Sequence, residues 1–281
     1  MTKSPEIFYE GLKFGEGPRW HDGRLWLSDF FGPNVLSLGP TGDKRVEVEL
    51  DDWPSGLGWL PNGELLIVAM TSRQIRRVDA AGNVHVHADL SVLTEWHCND
   101  MVVDGFGNAY VGNFGFDTEA KDRKPTPANL LMARPDGSVL EVATNLKVPN
   151  GSVITPDGKT LIVGESMGRN YTAFSINDDA TLSEGRLWAD LGEIGPDGCA
   201  LDADGAIWVA DAYGGGCHRV AEGGDVLESI TASQPVFACA LGGADRRTLY
   251  LVTCPGYPDE ERAALGRIEV VEVDVPGVGW P

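Results

Sequence analysis

One frame of polar and apolar positions recurs along the chain: a polar position, a short apolar stretch, a glycine-containing turn and a second apolar stretch. Its six copies run from Gly15-Glu16-Gly17-Pro18 to Asp29, Pro54-Ser55-Gly56 to Ala69, Cys98-Asn99-Asp100 to Asn113, Pro149-Asn150-Gly151 to Glu165, Pro196-Asp197-Gly198 to Asp211, and Val236-Phe237-Ala238 to Thr253. Gly or Pro interrupts nearly every window long enough for a helix, so the stretches read as strands. The turns Asp22-Gly23, Asn62-Gly63, Gly105-Phe106-Gly107, Asp157-Gly158 and Asp204-Gly205 supply residues that tolerate positive φ, as tight hairpins require. From polar position to turn glycine the count is 8 in four copies (55 to 63, 99 to 107, 150 to 158, 197 to 205) and 7 in the first (16 to 23). Successive turn glycines lie 40, 44, 51 and 47 residues apart, the spacing of four-stranded propeller blades.

A second pair of strand-like runs follows each frame, as in Gln74–Val78 and Val84–Ala88 across Ala81-Gly82-Asn83. The sixth copy is one strand short, and Glu6–Leu12 is otherwise unused. As the outer strand of the last blade it would close the ring and cover an exposed edge. The expectation is all-β: a six-bladed β-propeller, four antiparallel strands per blade, forming a single domain over residues 1–281. The polar insertion at 116–128 falls in copy three and reads as a solvated loop or as a lid over the channel mouth.

Subtracting 42 acidic from 22 basic side chains leaves −20. Such a field repels phosphate backbones and anionic lipid heads, so neither nucleic acid nor a membrane is an expected partner; a protein partner is left open. The start, Met1-Thr2-Lys3-Ser4-Pro5-Glu6, lacks a signal-peptide apolar core, and a cytoplasmic location is expected. Five cysteines without a CxxC pair suit reduced, core-filling thiols.

In a propeller the first strand of each blade lines the central channel, so equivalent positions converge on one axis. These slots hold Glu16, Ser55, Asn99, Asn150, Asp197 and Phe237. Converging carboxylates repel one another unless a proton or cation lies between them. Carboxylates with neutral amide oxygens suit a hard cation: one divalent ion, Ca²⁺ first, with Mg²⁺, Mn²⁺ or Zn²⁺ as alternatives. A second ring, at the ends of the returning strands (Asp29, Ala69, Asn113, Glu165, Asp211, Thr253), is expected either to orient those ligands or to be ordinary strand-end surface.

Glu16-Gly17-Pro18-Arg19-Trp20, Cys98-Asn99-Asp100, Pro149-Asn150-Gly151, Pro196-Asp197-Gly198, Ile207-Trp208-Val209-Ala210-Asp211 and Cys239-Ala240-Leu241-Gly242-Gly243, in that order and spacing, resemble the SMP-30/gluconolactonase/luciferin-regenerating family of six-bladed, metal-dependent hydrolases. The resemblance implies that Glu16, Asn150 and Asp197 are metal ligands, with Asn99 a ligand or substrate contact. It implies Asp197 as general base and Asp100 as a neighbouring substrate-site acid. Sugar-lactone hydrolases of the family often carry Arg two residues before this Asn; here His97 stands there, a smaller group in place of a planar fixed cation.

The reaction expected is hydrolysis of a small polar, sugar-type lactone, a gluconolactonase-like activity in which the cation polarises the ester carbonyl and Asp197 activates water. A binding propeller with a structural calcium and a phosphoester or organophosphate hydrolase are the competing readings. His85, His87 and His218 read as structural or solvated. Trp53, Trp59 and Trp96 are expected nearer the mouth than the other tryptophans.

Overall fold

The computed structural model describes residues 4–256 and 264–278; Met1–Lys3 of the expected leaderless start, and both ends of the 1–281 span, lie outside them. Among the described residues there are 24 strands and no helix, hence none long and apolar enough to cross a membrane. β1 (Glu6–Leu12) precedes the first blade, which comprises β2 (Gly15–His21), β3 (Arg24–Asp29), β4 (Asn34–Leu38) and β5 (Lys44–Glu49). Blade 2 is β6 (Pro54–Trp59), β7 (Leu65–Ala69), β8 (Gln74–Val78) and β9 (Val84–Asp89); blade 3 is β10 (Cys98–Val103), β11 (Ala109–Asn113), β12 (Ala128–Ala133) and β13 (Val139–Leu146). Blade 4 is β14 (Pro149–Ile154), β15 (Thr160–Glu165), β16 (Asn170–Ser175) and β17 (Arg186–Asp190); blade 5 is β18 (Pro196–Leu201), β19 (Ile207–Asp211), β20 (Gly216–Val220) and β21 (Val226–Thr231). Blade 6 has β22 (Val236–Gly242), β23 (Thr248–Thr253) and β24 (Gly266–Glu272), and β1 joins it antiparallel to β24, with Glu6 opposite Val270 and Leu12 opposite Gly266.

All six sheets are four-stranded and antiparallel, and each inner strand packs on the next around the ring, from β2 through β6, β10, β14, β18 and β22 back to β2. The expected propeller is therefore the observed fold. The hairpin glycines Gly23, Gly63, Gly107, Gly158 and Gly205 all have positive φ, between 70° and 90°. Blades stack through apolar faces: Leu66 and Val68 of blade 2 meet Met101, Val103 and Val111 of blade 3, while Trp208 and Ala210 of blade 5 meet Cys239, Leu249 and Leu251 of blade 6. Each of the Leu, Val and Met side chains contributes about 1.5–3 kcal/mol by leaving water. Outer strands such as β5 and β9 are largely exposed, so the core lies between blades and toward the axis.

Near the axis there is little room for side chains. A Cβ on Gly56 would lie 2.3 Å from the backbone nitrogen of Met101, and one on Gly151 would lie 2.3 Å from the carbonyl oxygen of Asp197. A glycine after the polar slot lets neighbouring inner strands approach backbone to backbone. Blades 3 and 6 depart from this rule, with Asp100 and Ala238.

Candidate active site at the head of the channel

Each inner strand carries a bulge at its slot or, in blade 1, directly after it. In blades 2 to 5 the slot residue and its successor face a single residue of the partner strand: the pairing runs from Pro54↔Ala69 to Leu57↔Ile67, Cys98↔Asn113 to Met101↔Val111, Pro149↔Glu165 to Ser152↔Val163, and Pro196↔Asp211 to Cys199↔Val209. Blades 1 and 6 have corresponding shifts, between Glu16 and Arg19 and between Val236 and Ala238. A bulge bends its strand and re-aims a side chain. Repeated six times at one level, it makes the slots a ring distinct from the ladder below.

Glu16, Asn99, Asn150 and Asp197 thus occupy equivalent positions on four inner strands. Asn99 is buried, and its side chain makes no hydrogen bond to another described residue. Asn150 donates from Nδ2 to Ser166 Oγ (3.1 Å), and Ser166 donates to the carbonyl of Pro196 (2.7 Å). With the Ser166 proton committed, its oxygen can only accept, so the amide orientation is fixed and Asn150 Oδ1 is left open. Ser166 sits one residue past the end of β15, directly after Glu165, where sequence inspection gave it no role.

Burial holds the Glu16 carboxyl well above the usual carboxylate range, and the charges of Asp197 and Asp100 push it further; the Gly17 amide and Arg19 only partly oppose this. Asp197 is pushed up to about 7 by burial, against a hydrogen bond from Asn150, with the Asp100 charge adding to the rise. These groups therefore share one electrostatic environment, although Glu16 and Asp197 are 181 residues apart (197 − 16). The donor set is two carboxylates that resist ionising together and amide oxygens free to ligate. Such a set fits a hard divalent cation and lacks the Cys and His donors of a zinc site. Among the described residues no cluster of three or more His, Cys, Asp or Glu side chains is arranged to hold a metal, so amides are needed to complete any ligand set here.

Asp100 directly follows the slot residue Asn99, within the same bulge. Its Oδ1 accepts from Arg19 Nη2 (2.7 Å) and from the Met101 amide (2.8 Å). Arg19 also donates to the carbonyls of Pro18 (2.9 Å), Leu57 (3.1 Å) and Met101 (2.7 Å), so one guanidinium ties blades 1, 2 and 3 together. Both partners are buried. Sequence reasoning gave Arg19 no role; a lone cation on an inner strand of an acid-rich chain was the available signal.

The second ring holds backbone. Asp29 Oδ1 accepts from the amides of Lys13 and Phe14, Glu165 Oε2 from Lys147, and Asp211 Oδ1 from Gly195 and Tyr213. Each strand-end acid clamps the loop that enters the inner strand of its own blade, setting the height of the slot two or three residues later. Blade 2 has Ala69 at the strand end and moves the clamp to Asp52, which accepts from the amides of Trp53, Thr71 and Ser72. The orienting role expected for this ring is indirect, exercised on the backbone.

The mouth is two-sided. Phe237 packs on Phe14 (ring centroids 4.8 Å), and an aromatic chain continues through Phe30, Phe31 and Trp53 to His97, 6.1 Å from Trp53. His97 Nδ1 lies 3.1 Å from Thr118 Oγ1, so the 116–128 insertion is tied to the segment preceding Asn99. Across the mouth, Tyr213 packs over Gly195 near Asp197, whose charge adds to the burial that raises its phenol.

Other expected features lie away from this site. All five cysteines are free and buried, and burial pushes the Cys98 thiol up to about 12, which leaves no reactive thiolate. His85 pairs with Asp79 on the outer strand of blade 2, and His218 with Ser229 in blade 5. Trp59 corrects an expectation: it ends β6 at the opposite end of the channel, stacked on His21 at 3.9 Å, because the inner strand carries it away from its slot.

A family model described as the SMP-30/gluconolactonase/LRE-like region matches residues 14–255. The pentonolactonase XacC of Haloferax volcanii is 28% identical over 96% of this chain and 93% of its own length. The 6-deoxy-6-sulfogluconolactonase of Pseudomonas putida is 26% identical over 95% and 94%. Among solved structures, a luciferin-regenerating enzyme superposes with a TM-score of 0.84 at 18% identity, covering 98% of both chains.

Proposed function

The chain belongs to the SMP-30/gluconolactonase/LRE-like family, and from that premise we propose that it is a lactonase opening the ester bond of a small, polar, sugar-type lactone with the help of one divalent cation. The relatives named pentonolactonase and sulfogluconolactonase support the substrate class. The observation that carries the reading is the slot ring itself: Glu16 and Asp197, each disfavoured as an anion, beside the Asn150 amide, whose oxygen its hydrogen bond to Ser166 leaves open.

Glu16, Asn150 and Asp197 would hold the ion, with Asn99 as a fourth ligand or a substrate contact, and calcium suits the all-oxygen set best. When bound, the cation supplies polarisation of the lactone carbonyl and stabilises charge developing on its oxygen. Asp197 accepts the proton of the attacking water, a contribution on the order of 10²–10⁴-fold. Asn150 steadies Asp197 through its amide, and Ser166 steadies Asn150. Asp100, next to the slot residue Asn99 and anchored by Arg19, is the neighbouring substrate-site acid. His97 borders the substrate between Trp53 and Thr118, where the insertion would narrow access as a lid. Nothing in this chemistry calls on a nucleic acid, a membrane or a second protein. A cytoplasmic setting is part of the proposal.

Proton release across a panel of aldono-, γ- and δ-lactones, with EDTA and after adding back Ca²⁺ or Mn²⁺, tests this. Turnover that chelation abolishes and metal restores is expected, together with its loss in Asp197→Ala and Glu16→Gln. Absence of metal-dependent turnover across the panel would refute it.

A further inference from the structure

At the end of the channel opposite the slots, the inner strands of blades 1 to 3 finish at Trp20-His21, Trp59-Leu60 and Val103-Asp104. These ends, with Arg246 from the turn between β22 and β23, line a pocket of about 340 Å³. That volume falls in the range of small-molecule sites. Its walls are aromatic: Trp59 lies face to face with His21, and Trp20 packs across Gly242 and stacks on Tyr250 at 5.7 Å.

Arg246 is the feature without an internal explanation. Five arginines have a buried Nε that bonds to nothing: Arg73, Arg76, Arg77, Arg134 and Arg246. The first four use another guanidinium nitrogen, on Glu95 O, Asp51, Glu64 and Asp179 O respectively. Arg246 makes no side-chain hydrogen bond or ion pair with any described residue, in a chain whose net charge is −20. Its neighbour Asp245 pairs with Arg247, and Asp104 spends both oxygens on Phe106 and Asn108. Burial with no acid to offset it lowers the pKa of this guanidinium. The backbone at Arg246 is left-handed (φ 60°), held by its amide on Gly243 O and by Gly277 on its carbonyl. A non-glycine residue in that region costs about 1 kcal/mol or more and persists only where its surroundings enforce it. A half-buried, unpaired cation among aromatic side chains matches a ligand with a planar ring and one negative charge.

We propose that this pocket is a second binding site, separate from the slot ring, for a small aromatic carboxylate. The carboxylate pairs with Arg246 and the ring lies against Trp20 and Trp59. Calorimetric titration of the metal-free protein with phenylacetate, benzyl alcohol and cyclohexylacetate tests it, with Arg246→Gln and Arg246→Lys alongside. Phenylacetate is expected to bind at least about tenfold more tightly than either analogue, to lose about tenfold or more in Arg246→Gln, and to recover most of that in Arg246→Lys. Lactone turnover of Arg246→Gln should equal that of the wild type. The wild-type titration decides by itself if Arg246→Gln folds poorly: no phenylacetate binding at millimolar concentration, or equal binding of all three probes, overturns the proposal. So does competition with a lactone substrate. The phenylacetate titrations need no activity at the slot ring, so the two readings fail separately.

Discussion

Replacing Asp197 by Asn should make the metal-free protein more stable while removing its activity. In the fold this carboxyl is raised from 3.8 to about 7, chiefly by burial. That rise corresponds to ~4 kcal/mol of disfavour toward the ionised form. Asp197 keeps partial contact with solvent at the channel mouth, which reduces the expected effect to about 2 kcal/mol. The sign follows from linkage. A carboxyl raised on folding binds protons more tightly in the native state, so its contribution is fully present below about pH 4 and is lost as pH climbs through about 7. Asn imitates the neutral form at every pH and does not suffer this loss; it also relieves Glu16, which the Asp197 charge pushes upward. Thermal melts in EDTA should therefore show near-equal midpoints for wild type and Asp197→Asn at about pH 4, and a gain for the variant on the order of 4–8 °C at about pH 8. In the same variant with metal, kcat should fall by roughly 10²–10⁴-fold. A variant no more stable than wild type at pH 8, or a gain that fails to grow with pH, would refute the assignment of Asp197 as a buried, electrostatically frustrated carboxylate.

Ser166→Ala removes the acceptor that fixes the Asn150 amide and should weaken metal affinity by about 10–100-fold with little change in melting temperature, as read by competitive chelator titration. Arg19→Met leaves Asp100 buried without its cation; a loss of about 3–5 kcal/mol in denaturant unfolding is expected. Gly56→Ala puts a methyl group 2.3 Å from the Met101 backbone nitrogen and should cost about 1–3 kcal/mol or prevent folding, whereas Gly63→Ala, whose Cβ meets nothing within 4 Å, should pay only for its backbone angle.

Blade number, strand count and ring closure by Glu6–Leu12 were legible in the sequence because turn glycines and slot residues repeat at near-constant spacing, and that spacing follows from hairpin geometry. The slot residues stood out for the same reason. What escaped reading depends on contacts between blades. Arg19 reaches Asp100 across 81 positions, and nothing in the local pattern of β2 marks that partner. The six bulges leave no mark in a hydrophobic alternation, since slot and glycine break it anyway. Strand-end acids looked like ligand supports because they share a rim with the slots; which amide each one grips depends on loop path. Trp59 was misplaced because its distance along β6, not its closeness in sequence to Ser55, sets its end of the channel.

The clasp between β1 and β24 has a consequence in time. Glu6 faces Val270, 264 positions away (270 − 6), so β1 leaves a ribosome long before the strand it pairs with. At roughly 5–20 residues per second that is an interval on the order of 10–50 s, during which the earliest blades have no closed circle to belong to. Nascent chains should therefore remain susceptible to protease along blades 1 and 5 until β24 has emerged, and then become resistant together.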